Sequence, residues 1–282
     1  MLKKFLALFL VWLLAACALA QARVENKTDE AKPRLIQPWP FKAGESLNYE
    51  VRFSKLIFSG TIGEITLKVA DPAEVPKPEA KESDLIEFKA EAVSKGFFPS
   101  LFGIKVRNRY SALVNKADFG VHSSTQLIEE GKVRRERKAV FDRESGRVIY
   151  TDRNLADSSA KPAVKEEVSP RWILDLLSAV YFLRAQKLEE GSTIPVPISD
   201  ACKVYNIDVV VEKREELKVD AGRFNTVKLD VKAFDGRYVK RKGEMQIWVT
   251  EDMPRIPVRA KIKTSGATVT IDLKRTAPSK PE

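Results

Sequence analysis

Histidine occurs once in this chain, at His122, and cysteine twice, at Cys17 and Cys202. One imidazole and two distant thiols assemble neither a zinc site nor a disulfide framework. A general base at His122 would need an orienting carboxylate and a nucleophile beside it. His122 is instead set in a strand pattern next to Ser123 and Ser124, where a satisfied strand histidine is expected. The chain has no glycine-rich phosphate loop, no G-x-S-x-G elbow and no H-E-x-x-H pair. The apolar core of its N-terminal segment, Phe5 to Leu14, is too short to span a bilayer comfortably. Hydrolase, metalloenzyme and nucleotide-binding classes lose their usual signatures, and neither cofactor nor metal is expected.

What is present begins with a leader. Residues 1–20 join Lys3-Lys4 to that apolar run and read as a signal peptide. Two processing signals overlap behind it. Leu14-Ala15-Ala16-Cys17 matches a bacterial lipobox, which marks Cys17 for lipidation, while Ala18-Leu19-Ala20 suits ordinary secretion. The expected location is the periplasm, as an outer-membrane lipoprotein if Cys17 is modified and as a soluble protein otherwise. Either route leaves Cys202 alone, a small core residue rather than a nucleophile. The formal charge of +10 falls to +8 once Lys3 and Lys4 leave. The basic residues are spread over many strands, and the densest run, Arg134 to Lys138, lacks interleaved aromatics. That distribution describes a solvated sheet face, not a nucleic-acid site.

Residues 21–40 are polar and proline-punctuated, a tether ahead of one β-rich domain over 41–275, with a disordered tail at 276–282. Leu47, Tyr49, Val51 and Phe53 alternate with polar residues, the pattern of a strand with one wet face. A slip near Gly63 suggests a bulge. Similar alternation recurs through Val148–Tyr150 and again from Tyr205 to Leu273, and residues 71–81 and 155–168 read as polar loops. Between the two β-rich halves, residues 170–187 carry one amphipathic helix. Ser169 is its expected N-cap, and Trp172, Ile173, Leu176, Leu177, Val180 and Leu183 form its apolar stripe. The expected fold is mainly β: a strongly curved antiparallel sheet or open barrel packed around this helix.

Several short motifs recur in a recognisable order. They are Gly44-Glu45-Ser46-Leu47, Phe98-Pro99, Glu130-Gly131-Lys132, Asp175-Leu176-Leu177-Ser178-Ala179, Tyr181-Phe182-Leu183-Arg184, Ala221-Gly222-Arg223-Phe224, and Ile247-Trp248-Val249-Thr250 before Arg255-Ile256-Pro257-Val258. In this the chain resembles the bacterial exported proteins grouped as domain-of-unknown-function family 3108. The resemblance implies an exported antiparallel β domain and brings no catalytic residues.

Gly96 to Gly103 is a loop by its glycines and proline, yet it carries Phe97, Phe98, Leu101 and Phe102. It is expected to plug one end of the sheet, or else to contact a ligand or partner. The leading functional reading is a non-catalytic binding or carrier protein that holds an apolar or lipid-like ligand between sheet and helix. The alternative is a structural or assembly factor of the cell envelope that binds a protein or glycan partner. A membrane partner, through the lipid anchor, is expected if Cys17 is modified, and nucleic acid is not.

Overall fold

The alternation that marks Leu47, Tyr49 and Val51 as inward-facing builds a strand that buries those three residues, and the rest of the sheet repeats the device. A computed structural model describes residues 35–76, 84–96, 105–234, 236, 238–240 and 242–277. Its strands are β1 (Ser46–Lys55), β2 (Phe58–Val69), β3 (Leu85–Ser94), β4 (Arg107–Asn115), β5 (Val121–Glu130), β6 (Val133–Asp142), β7 (Arg147–Asn154) and β8 (Ala163–Val168). A single α-helix among the described residues, α1 (Leu176–Arg184), precedes β9 (Thr193–Asp200), β10 (Lys203–Val219), β11 (Gly222–Val231), β12 (Gly243–Thr250), β13 (Pro257–Thr264) and β14 (Ala267–Ala277).

All fourteen strands lie in one sheet, in the order β8-β7-β6-β5-β4-β3-β2-β1-β14-β13-β12-β11-β10-β9. Two meanders therefore run outward from a central pair, β1 with β14, whose register joins Ser46 to Ala277 and Ser54 to Thr268. Antiparallel meandering puts every β1–β2, β3–β4, β5–β6, β7–β8, β9–β10, β11–β12 and β13–β14 turn at one end of the molecule, here called the turn end. The helix C-terminus and residues 35–45 lie at the other.

The expected slip is present: opposite Val51 and Arg52 the register jumps from Gly63 to Thr61, which leaves Ile62 as the extra residue of a bulge. Gly63 is required there, because a Cβ would meet the Val93 carbonyl oxygen at 2.6 Å.

The sheet curls without closing. The chain just before the helix stitches the β9 edge to the start of β5. Leu174 pairs in parallel with Ile198 of β9, while the Ile173 carbonyl accepts from the Val121 N–H at 3.0 Å. Val121, Phe141, Val148 and Ile173 then form a small apolar cluster, with Cys202 and Val204 packed against it.

These contacts correct the expected helix limits. Residues 170–175 are not helical, Ser169 is not the cap, and α1 starts at Leu176 behind Asp175. The Ser178 N–H donates to the Asp175 carboxylate at 2.8 Å, and Ser178 Oγ accepts from the Asp175 N–H at 2.9 Å. That reciprocal capping box stabilises the later start. Ile173 and Leu174 are buried as strand-like stitches, whereas Leu176 and Val180 are only half-buried.

Two strands depart from the expected loops. β8 occupies part of the polar 155–168 stretch as a wholly exposed edge strand. β9 contains Pro195 and Pro197, tolerated because it forms the other edge of the sheet. At the C-terminus β14 continues to Ala277, two residues into the expected tail. Residues 1–34 and 278–282 lie outside the described residues.

Candidate functional site

The concave face of the curled sheet is where an apolar ligand was expected, and aromatic side chains occupy it. Tyr181 stacks on Phe88 with ring centroids 3.9 Å apart and planes within 9°. Phe41 meets Tyr181 edge-on at 5.3 Å, Trp39 meets Phe119 at 5.3 Å, and Trp172 meets Phe182 at 5.7 Å. The cluster ties the residues ahead of β1 to both meanders through the helix.

At the helix C-terminus Arg184 is 1% exposed, and all three of its guanidinium nitrogens donate hydrogen bonds. It makes a two-pronged pair with Glu45, at 2.6 and 2.8 Å, and donates to the carbonyls of Pro40, Pro254 and Arg255. Its guanidinium lies 5.3 Å from the ring centres of Phe41 and Tyr181. The helix and Arg184 are thus structural keystones.

Two concavities are polar. The smaller lies at the seam between the meanders, where Ser124, Gln126, Arg137 and Tyr150 face Asp175 and Asp200; its enclosed part is about 20 Å³, room for about one water. Burial pushes the Asp200 carboxyl up to about 6, against the pull of the Tyr238 hydroxyl donating to it at 3.3 Å and of Arg137. Burial also raises the Asp175 carboxyl. This cleft titrates near neutrality but is too narrow for more than water.

The larger is an open groove of about 610 Å³ on the outer face of β1 to β5. Asn48 and Thr66 (joined by a 2.9 Å hydrogen bond), Glu87, Lys89, Arg109 and Thr125 contribute to its walls. Strand alternation puts them opposite the core-facing Leu47, Phe88 and Ala112. Arg107 pairs with Glu91 at 2.7 Å, and Lys89 lies 3.2 Å from Glu74 and 3.3 Å from Glu87. Glu87 is only 6% exposed, and its buried Oε2 is the atom that faces the Lys89 ammonium at 3.3 Å. The groove therefore offers hydroxyls and an amide among paired charges, on a charge-balanced floor.

A family model described as "Protein of unknown function (DUF3108)" matches residues 48–274. The chain belongs to this family. Among solved structures it is similar to the β-barrel-like protein of the domain of unknown function DUF1849 from Brucella abortus: TM-score 0.55, 9% identity, covering 85% of this chain and 99% of that one. That likeness shows a shared fold. A protein from Bacteroides fragilis described as exported, with a YmcC-like fold, aligns over 85% of this chain and 98% of its own at 9% identity and TM-score 0.31. One described as a lipoprotein, from Parabacteroides distasonis, aligns over 85% and 97% at 9% identity and TM-score 0.29. No curated protein matches the chain.

Of the residues singled out in the sequence, Cys17, Phe97, Phe98, Leu101 and Phe102 lie outside the described residues. The approach to that loop is described: Gly96 has φ +96°, and a Cβ there would sit 2.4 Å from the Thr61 carbonyl oxygen. Cys202 lies in the β9–β10 turn at φ 66°, and burial pushes its thiol up to about 11, which keeps it protonated at neutral pH. His122 is half-buried on β5. Sequence reading missed Glu87, because a glutamate in an alternating strand reads as solvated. It also missed Arg184 and Glu45, 139 residues apart and paired only by the fold.

Proposed function

We propose that the chain is a non-catalytic binding protein of the bacterial cell envelope, and that it engages a glycan in the outer groove instead of enclosing an apolar ligand. The observation that carries this reading is the open 610 Å³ groove, whose floor sets Asn48, Thr66 and Thr125 among paired charges such as Glu87 with Lys89. Sugar hydroxyls both donate and accept, which suits short hydroxyl and amide groups of this kind. The backbone under the groove is consumed by the sheet ladder, so recognition there falls to side chains. An extended peptide draws much of its affinity from main-chain hydrogen bonds and favours sheet edges. The aromatic filling between helix and sheet supports the choice of an outer site over an inner one. Export fits the Leu14-to-Cys17 signal, and a lipid on Cys17 would hold the groove near the membrane.

Cosedimentation with isolated cell-wall glycan strands tests the proposal. Wild type is expected to sediment, and Glu87→Gln with Thr66→Val to stay in solution with an unchanged melting temperature. Equal sedimentation by the two would refute the groove. Stoichiometric acyl lipid in organic extracts of detergent-free protein would return the enclosed-ligand reading.

A further inference from the structure

The β1–β2 hairpin breaks a local rule without any gain to the fold. Lys55 and Phe58 are paired, so Leu56 and Ile57 form a two-residue turn. Such turns favour glycine, asparagine or aspartate, above all where φ is positive. Here Leu56 adopts φ +53°, and Leu56, Ile57 and Phe58 are 88%, 91% and 54% exposed. Three large apolar side chains stand in water on a strained turn where polar residues would be more stable and more soluble. Such a departure marks a functional surface.

The charge around the hairpin identifies what it meets. At the same turn end, Lys105, Lys132 and Lys242 are exposed and have no ion-pair partner among the described residues. Lys105 is adjacent to the β5–β6 turn, its carbonyl accepting from the Gly131 N–H at 2.8 Å. Nearby acids are already engaged: Glu64 with Lys95 at 2.8 Å, and Glu244 with Lys263 at 3.6 Å. The exposed acid that remains there among the described residues, Asp157, lies three hairpins away. At the opposite end the exposed, unpaired charges are of both signs, Lys42, Arg171 and Lys218 with Glu144, Asp220 and Asp252. The exposed apolar hairpin thus stands at an end whose unpaired charge is mostly basic.

From these unpaired lysines and the exposed hairpin we infer that the turn end docks on an anionic lipid surface, with Leu56, Ile57 and Phe58 entering the headgroup layer and the lysines resting on it. Apolar insertion and electrostatic attraction are the two signals that peripheral binding combines. The lysines of the turn end attract the anionic surface before contact and favour approach by that end. The surface is separate from the outer groove, so the inference does not depend on the glycan reading.

The test uses the exported chain carrying Cys17→Ala and Cys202→Ser, with a polarity-sensitive dye on a cysteine replacing Ile57. It is mixed with vesicles of phosphatidylcholine alone or with an equal part of phosphatidylglycerol. Emission is expected to move to the blue with the anionic vesicles only, and to return when salt is raised. The same dye at Met253, exposed at the opposite end, is expected to stay unchanged. Lys132→Glu with Lys242→Glu is expected to weaken vesicle binding about tenfold or more. The unlabelled Leu56→Ser/Phe58→Ser chain, with an unchanged melting curve, is expected to weaken it by a similar factor. The inference is overturned if the dye at position 57 does not respond, if position 253 responds equally, or if either double variant binds as wild type does. Should labelling at 57 disturb folding, cosedimentation of the unlabelled variants decides alone.

Discussion

Arg184 puts a full charge inside the molecule, and the fold neutralises it with one carboxylate and three carbonyls. Removing one member of a buried pair strands the other, so Arg184→Met is expected to cost about 3–5 kcal/mol, with the loss read from urea unfolding. Glu45→Gln keeps an acceptor and should cost less. Tyr181 makes the opposite case. Its hydroxyl is buried and has no hydrogen-bond partner among the described residues, so Tyr181→Phe is expected to hold stability or raise it by about 1 kcal/mol. Asp200 gives a pH signature. Its carboxyl rises from 3.8 unfolded to about 6 folded, so between those values the folded chain holds the extra proton. This contribution is fully present below pH 3.8, falls as pH rises through the window, and is gone above about 6. Asp200→Asn should therefore match wild type near pH 4 and exceed it by about 1–3 kcal/mol at pH 7, in urea curves at the two values.

At the scale of elements, α1 separates what periodicity reveals from what it hides. The apolar run 172–183 reads as one helical stripe, but its first residues are taken by the sheet seam, where Ile173 and Leu174 make strand-type hydrogen bonds to β5 and β9. No local signal shows that two distant strands need a stitch. Asp175 looks like a polar-face residue for the same reason, although with Ser178 it forms the capping box. Phe182→Ala is expected to cost about 3–5 kcal/mol, and Val180→Ala, at a half-buried position, well under half of that, by thermal or urea unfolding. β9 was hidden by Pro195 and Pro197, which argue against a strand until its edge position is known. The strands with clean alternation and the bulge beside Gly63 were legible, because a face exposed to water imposes a period of two. The groove was not: its wall residues come from five strands, and only the register sets them side by side.

At the scale of the whole molecule, the family and the curved β architecture followed from motif order and alternation, while the central pairing of β1 with β14 had no sequence signature. It joins residues more than two hundred positions apart, whereas each neighbouring hairpin closes over a short turn. Deleting residues 267–282 would expose both β1 and β13 along the middle of the sheet. That chain is expected to accumulate as a protease-sensitive species, scored by limited proteolysis against the full chain. The same pairing sets a timetable. Hairpins form as soon as their residues are available, but the last long-range seam waits for the final strand, which raises contact order and slows completion. A chain that emerges N-terminus first cannot lock before β14 arrives, so on the export route proposed above it would stay threadable throughout its passage across a membrane.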